Sequence, residues 1–296
     1  MSWQSISDLV HRMMAHRDAA PADPDVRTRA AHLAVAVFGL EQVLSQPALV
    51  NIAALALSMD RLVVHRLTAD AAEQVRATEL RAVPGKPPGL MRRPFIVESR
   101  RPERHPLFGQ TAALAGYELD GRLFLIGLDY PDGIRVEPVR IHWQEQDIEP
   151  TSVDSPLIEG DIHEHRLWAE QAAEWVVTLG ALLEAEGAPL EDEDWSEAPA
   201  SKRQRPGRRQ KATDGWLVRR VALTRAAAQR VSSRADAETS AARRDGLVLG
   251  ETWVRGHLRR QPYGPGRQLR KWVYIEGYEA RRWMSRRPLR IDVEVD

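Results

Sequence analysis

Residues 115–144, AGYELDGRLFLIGLDYPDGIRVEPVRIHWQ, constrain the fold more than any other stretch of the chain. Short runs rich in β-branched and aromatic residues are separated by Asp120-Gly121 and Asp132-Gly133, pairs that readily adopt the positive φ of tight hairpin turns. With RRPFIVES upstream at 92–99, the pattern predicts three or four antiparallel strands. Helical periods surround them. Trp3, Ile6, Leu9, Val10, Met13 and Met14 share one helical face, and Leu33, Val37, Leu40 and Leu44 recur at three- and four-residue spacing across 27–45. Pro47 stops that helix or opens the next, which carries Leu49, Ile52, Leu55, Leu57 and Leu62. A polar helical piece spans about 70–81. Residues 163–187 return to helical period, with Leu167, Trp168, Ala172, Trp175, Val176, Leu179 and Leu182 on one face and Gly187 as the stop. The two tryptophans, seven residues apart, read as core. The expected class is α+β, an N-terminal helical layer with a small antiparallel sheet.

The formal net charge is zero, but the charges are segregated. Residues 1–200 hold 18 Lys+Arg against 32 Asp+Glu, and residues 201–296 hold 24 against 10. Such a split marks an anion-seeking end. Between 188 and 214, acidic EDEDWSEAPA passes into basic SKRQRPGRRQK without apolar periodicity, the composition of a flexible linker. This divides the chain into an N-terminal α+β domain (1–187), a charged linker (188–214) and a basic C-terminal module (215–296). The module is read as a short strand, an arginine-rich helix over 219–234, a hairpin and the strand-like LRIDVEVD at its end.

Within the module, WVRGHLRRQPYGPGRQLRKWVYIEGYEARRW (253–283) places two alternating runs around a Gly-Pro-Gly turn. A regular first strand puts Trp253, Arg255, His257 and Arg259 on one face, and the return strand alternates Trp272 and Tyr274 with Lys271 and Val273. Guanidinium forks suit phosphates, and aromatic rings suit unstacked bases. The candidate RNA-binding set is therefore Arg255, His257, Arg259, Arg260, Tyr263, Arg267, Arg270, Lys271, Trp272 and Tyr274. The plainer reading is a hairpin whose aromatics pack on a helix while its arginines meet water.

Several chemistries find no support. The chain has no cysteine, so disulfides, thiol nucleophiles and thiolate metal sites are excluded. No dinucleotide, Walker, nucleophile-elbow or zinc-protease motif occurs, and no cofactor is expected. In DIHEHRLW, Asp161, His163, Glu164 and His165 cluster, but acidic residues at a helix start favour the macrodipole whatever the function, and no further metal ligands converge. The start of the chain is no secretory signal, and LVNIAALALSM is about half the length of a membrane span. The chain reads as soluble and cytoplasmic, with no membrane partner. His257, between arginines, offers an alternative as the general base of a metal-independent ribonuclease. A DNA-binding regulator using helix 219–234 is a further one, without a recognisable helix-turn-helix pair.

The run RGH at 255–257, the YGPGR turn and the WVYI return strand, preceded by helices, a meander and a tryptophan-bearing helix, resemble the type V-A anti-CRISPR family that blocks production of the CRISPR nuclease. The resemblance covers most of the chain in layout and is specific around Arg255, Gly256, His257 and the turn. It implies a protein of phages or mobile elements. Such a protein recognises the N-terminal segment of a nascent target and provokes loss of its messenger RNA, with the basic module on RNA or the ribosome. An acidic N-terminal domain suits a basic or uncharged peptide. Glu118, Asp120, Asp129 and Asp132 at the meander turns are the candidate peptide-binding residues, although each also suits a simple turn.

Overall fold

A computed structural model describes residues 5–20, 22, 25–80, 86–100, 104–129, 133–143, 147–150, 162–194, 216–225, 227–228 and 250–282. The order begins α1 (Ile6–Met14), α2 (Val26–Phe38), α3 (Leu40–Ser45), α4 (Ala48–Ser58), β1 (Leu62–Leu67), α5 (Ala69–Ala77) and β2 (Glu79–Leu80). Next come β3 (Phe95–Ser99), β4 (Thr111–Leu119), β5 (Arg122–Asp129), β6 (Ile134–His142), β7 (Asp147–Pro150), α6 (Ile162–Glu184) and β8 (Leu190–Asp194). The described chain ends with β9 (Trp216–Leu223), β10 (Gly250–Val254), β11 (His257–Tyr263), β12 (Leu269–Ile275) and β13 (Tyr278–Arg282).

Local chemistry sets the helix boundaries. Ser5 caps α1 by accepting from the Asp8 amide, and Asp25 caps α2 by accepting from the amides of Arg27 and Thr28. The long helix expected over 27–45 is two helices, because Gly39 at φ +85° breaks it. Leu62, read as helical, opens β1 instead. The β4–β5 turn is built as predicted, with Asp120 at φ +53° and Gly121 at φ +70°.

The class is α+β, and the predicted meander forms one wing of a larger mixed sheet. Eight strands run in the order β7-β6-β5-β4-β3-β1-β9-β8. β1 lies parallel to both β3 and β9, while the other pairings are antiparallel. Neighbouring residues along each strand enter opposite cores, as strand geometry requires. Val64, Ile96, Ala115 and Ile126 join Ile6, Leu33, Leu49 and Ile52 under α1, α2 and α4. Leu67, Val97, Leu114 and Leu125 join Ala72, Trp168, Trp175 and Leu179 under α5 and α6.

The sheet also crosses the boundary expected at 188–214. Leu190–Asp194 is the edge strand β8, and β9 sits between β8 and β1. Main-chain pairing with β1 fixes β9 at six register positions, so residues 216–223 belong to the N-terminal sheet rather than to a separate module. Arg219 and Arg220, expected on a helix, lie on this strand; residues 229–234 and LRIDVEVD fall outside the described residues. No described helix is long and apolar enough to cross a membrane.

Candidate functional site

The hairpin β11–β12 is anchored at its base. Tight packing explains why. β2 pairs with β11 in parallel, Glu79 N–H donates to the Gly256 carbonyl at 3.0 Å, and Glu186 exchanges backbone hydrogen bonds of 3.1 Å with Trp272 and Tyr274 just beyond α6. Gln74 Nε2 of α5 donates to Tyr274 Oη at 2.8 Å. The Tyr274 ring crosses so closely over Gly256 that a Cβ there would lie 2.1 Å from Tyr274 Oη. Glycine is the residue this approach permits.

This anchoring corrects the regular strand expected from Trp253 to Arg259. The run breaks at Arg255-Gly256, with β10 pairing to β13 and β11 to β12. Trp253, Arg255, His257 and Arg259 therefore do not share one strand face. His257 is only 7% exposed, its Nδ1 3.3 Å from the Arg255 carbonyl oxygen, and Leu258 beside it is fully buried. Little of that imidazole is open to solvent, unlike the exposed general base expected between arginines.

Past Arg259 the hairpin leaves the body of the protein. Leu258 faces Tyr274, Arg260 faces Trp272 and Pro262 faces Arg270 across one side; Arg259 faces Val273, Gln261 faces Lys271 and Tyr263 faces Leu269 across the other. The Arg260 guanidinium lies 6.0 Å from the Trp272 ring centroid. Lys271 pairs with Glu186 and sits 5.7 Å over the Tyr263 ring. Arg259, Arg267 and Arg270 are exposed and have no acidic partner among the described residues. At the turn, Arg267 holds φ +56°, a left-handed conformation costing about 1 kcal/mol or more for a residue with a Cβ.

The four carboxylates expected at a peptide rim are dispersed. Glu118 and Asp120 are exposed at the β4–β5 turn, where Asp120 lies 3.8 Å from Arg27. Asp129 stands at the opposite end of β5 and is only 6% exposed. Asp132 lies outside the described residues.

Asp129 instead belongs to a polar network at the start of α6. Thr111 Oγ1 donates to Asp129 Oδ1 at 2.8 Å and accepts from Trp168 Nε1 at 3.0 Å. Arg135 donates Nε to Asp129 Oδ2 at 2.7 Å and Nη1 to Glu164 Oε1 at 2.9 Å. His165 Nδ1 lies 2.6 Å from Glu137 Oε1. Burial raises the Glu137 carboxyl above its ordinary pKa, against the opposing pull of His165. Glu164 and His165 of the DIHEHRLW cluster are thus held by Arg135 and Glu137. Among the described residues no group of three or more His, Asp or Glu is placed to hold a metal.

Above this network opens a cleft of about 250 Å³, lined by Phe108, Thr111, Asp129, Arg135, Glu164, Leu167 and Trp168. Trp168 and Trp175 are core residues as predicted, and a Cβ on Gly127 would lie 2.2 Å from the Trp168 ring. Leu167, expected on the apolar face, is 45% exposed at the cleft edge. The cleft combines aromatic and leucine walls with two carboxylates around one guanidinium, which suits an apolar side chain beside a positive group. Thr111 and Arg135 gave no sequence signal: alternation along a strand reads them as ordinary solvent-facing positions.

Comparison with known proteins bears on the whole arrangement. The family model for the anti-CRISPR type V subtype A2 (AcrVA2-like) proteins matches residues 43–278. The chain belongs to this family. The matched span runs from α3 to the first residue of β13, so it takes in the whole eight-stranded sheet, α6 and the hairpin. Among curated proteins none matches the chain.

Proposed function

We propose that this anti-CRISPR family member recognises the N-terminal segment of a target protein as it is synthesised and promotes loss of the corresponding messenger RNA. The hairpin contacts RNA or the ribosome, and the cleft at the start of α6 receives the peptide. One observation carries the reading: Arg259, Arg267 and Arg270 stand exposed, without acidic partners among the described residues, on a hairpin clamped to the sheet domain. Cations left unneutralised on a projecting element favour a polyanion, and releasing its counterions drives binding. The cleft supports the peptide half of the reading through its apolar walls and its carboxylates, a set complementary to an uncharged or basic chain end.

The test uses a type V-A CRISPR nuclease gene and two recoded versions of it, each expressed with and without the intact chain. One version keeps the N-terminal amino acids and changes their codons; the other changes the amino acids. Messenger RNA should fall for the natural and synonymous genes and persist for the third. Equal levels of all three with and without the chain would refute the proposal. An Arg259→Gln, Arg267→Gln, Arg270→Gln variant should cosediment less with ribosomes and spare the message.

A further inference from the structure

We infer that the hairpin is a reader of single-stranded RNA, with Tyr263 as a base-stacking platform, Arg259 on the same face and Arg267 at the turn as the phosphate contacts beside it, and Arg270 on the opposite face as a further one; this rests on the proposed RNA contact. The three aromatic side chains of the hairpin differ in availability, Tyr274 being packed over Gly256. Trp272 is half-buried against the α6 core. Tyr263 stands at the tip, 43% exposed, directly opposite Leu269, which is 52% exposed. An apolar step of this kind among exposed cations is matched by a base presented outside a helix, since a duplex shows proteins its phosphates and keeps its base faces stacked.

The turn holds the step in place. Gly264 at φ +78° has Leu269 Cδ1 3.1 Å from where its Cβ would be, so Leu269 folds over the turn beside Tyr263. Arg267 N–H donates to the Gly264 carbonyl at 3.0 Å while Arg267 keeps its left-handed backbone. The loop thereby fixes the backbone of Arg267 at the turn that carries the platform. Lys271 over the Tyr263 ring is already paired with Glu186, so it orients the ring rather than serving as a phosphate contact.

Fluorescence anisotropy with the full chain tests this, using one labelled oligoribonucleotide of about a dozen nucleotides, single-stranded or annealed as a blunt duplex. The single strand should bind roughly tenfold tighter or better. Tyr263→Ala should weaken single-strand binding by roughly tenfold, leave duplex binding unchanged and keep the salt dependence, whereas Tyr263→Phe retains affinity. Equal binding of strand and duplex, or a Tyr263→Ala variant indistinguishable from the parent, would overturn the stacking inference and leave the RNA reading intact. Absence of binding to either RNA at low salt would overturn both.

Discussion

At the start of α6, Arg135 sits between Asp129 and Glu164 with hydrogen bonds of 2.7 and 2.9 Å, whereas beyond the end of the same helix Arg259, Arg267 and Arg270 have no acidic partner among the described residues. The first arginine is a structural group. It neutralises a buried carboxylate, and its own charge is largely consumed in doing so. The others keep their charge facing water. Arginine content alone therefore says little about function; the distinction lies in which guanidiniums the fold has already satisfied.

The most damaging way to break the satisfied region is at the indole beneath it. Trp168→Ala removes a buried ring and the donor to Thr111 Oγ1, and should lower stability by about 3–5 kcal/mol. Chemical denaturation should show this as a large fall in midpoint. A loss under about 1 kcal/mol would mean that the network does not depend on that wall.

Next in size is a paired substitution that sets the two arginine classes against each other. Arg135→Ala leaves the buried Asp129 without its charged donor and should destabilise by about 1–3 kcal/mol. Arg270→Ala should stay within about 0.5 kcal/mol of the parent while reducing the salt slope of RNA binding by about one. Equal losses of stability from both would erase the contrast.

The smallest effect is a pH slope. Glu98 is buried and accepts from the amide and hydroxyl of Ser7 at 2.9 and 3.1 Å, with Arg66 Nε 3.9 Å away. Burial raises its pKa above the ordinary 4.5, despite Ser7 and Arg66 and with a little help from Asp8. The folded state thus holds this proton to higher pH than the unfolded chain. The associated stability is complete below the unfolded value and is lost as pH rises through the folded one. Glu98→Gln lacks this loss, so urea midpoints of the parent should fall behind those of the variant as pH rises from about 4 to about 8. A gap that narrows over that range contradicts the assignment.

Much of this architecture could be read from local pattern. The meander, its Asp120-Gly121 turn, the tryptophan face of α6 and the projecting Gly-Pro-Gly hairpin all announce themselves through spacing of a few residues. β1 did not, because its buried positions, Leu62, Val64, His65 and Leu67, follow α4 closely and mimic helical spacing. The insertion of β9 beside β1 was equally hidden: that pairing joins segments about 150 residues apart and leaves no local mark. At the candidate site, Arg255 and His257 looked alike on a regular strand. In the fold that strand breaks at Arg255-Gly256, where Tyr274 packs over Gly256, and His257 lies in the interior. Asp129 likewise read as a turn carboxylate, since its partners Thr111 and Arg135 come from two other strands.

Helix α6 has 23 residues, and at 1.5 Å per residue that is a rod of about 34 Å. The cleft lies at one end and Glu186, which clasps the hairpin, just past the other. The two sites are therefore the jaws of a fixed caliper rather than beads on a string. A partner that engages both must present its two surfaces at that set span. Adding or removing one helical turn would shift the gauge by about 5.4 Å and rotate neither jaw far from its original bearing.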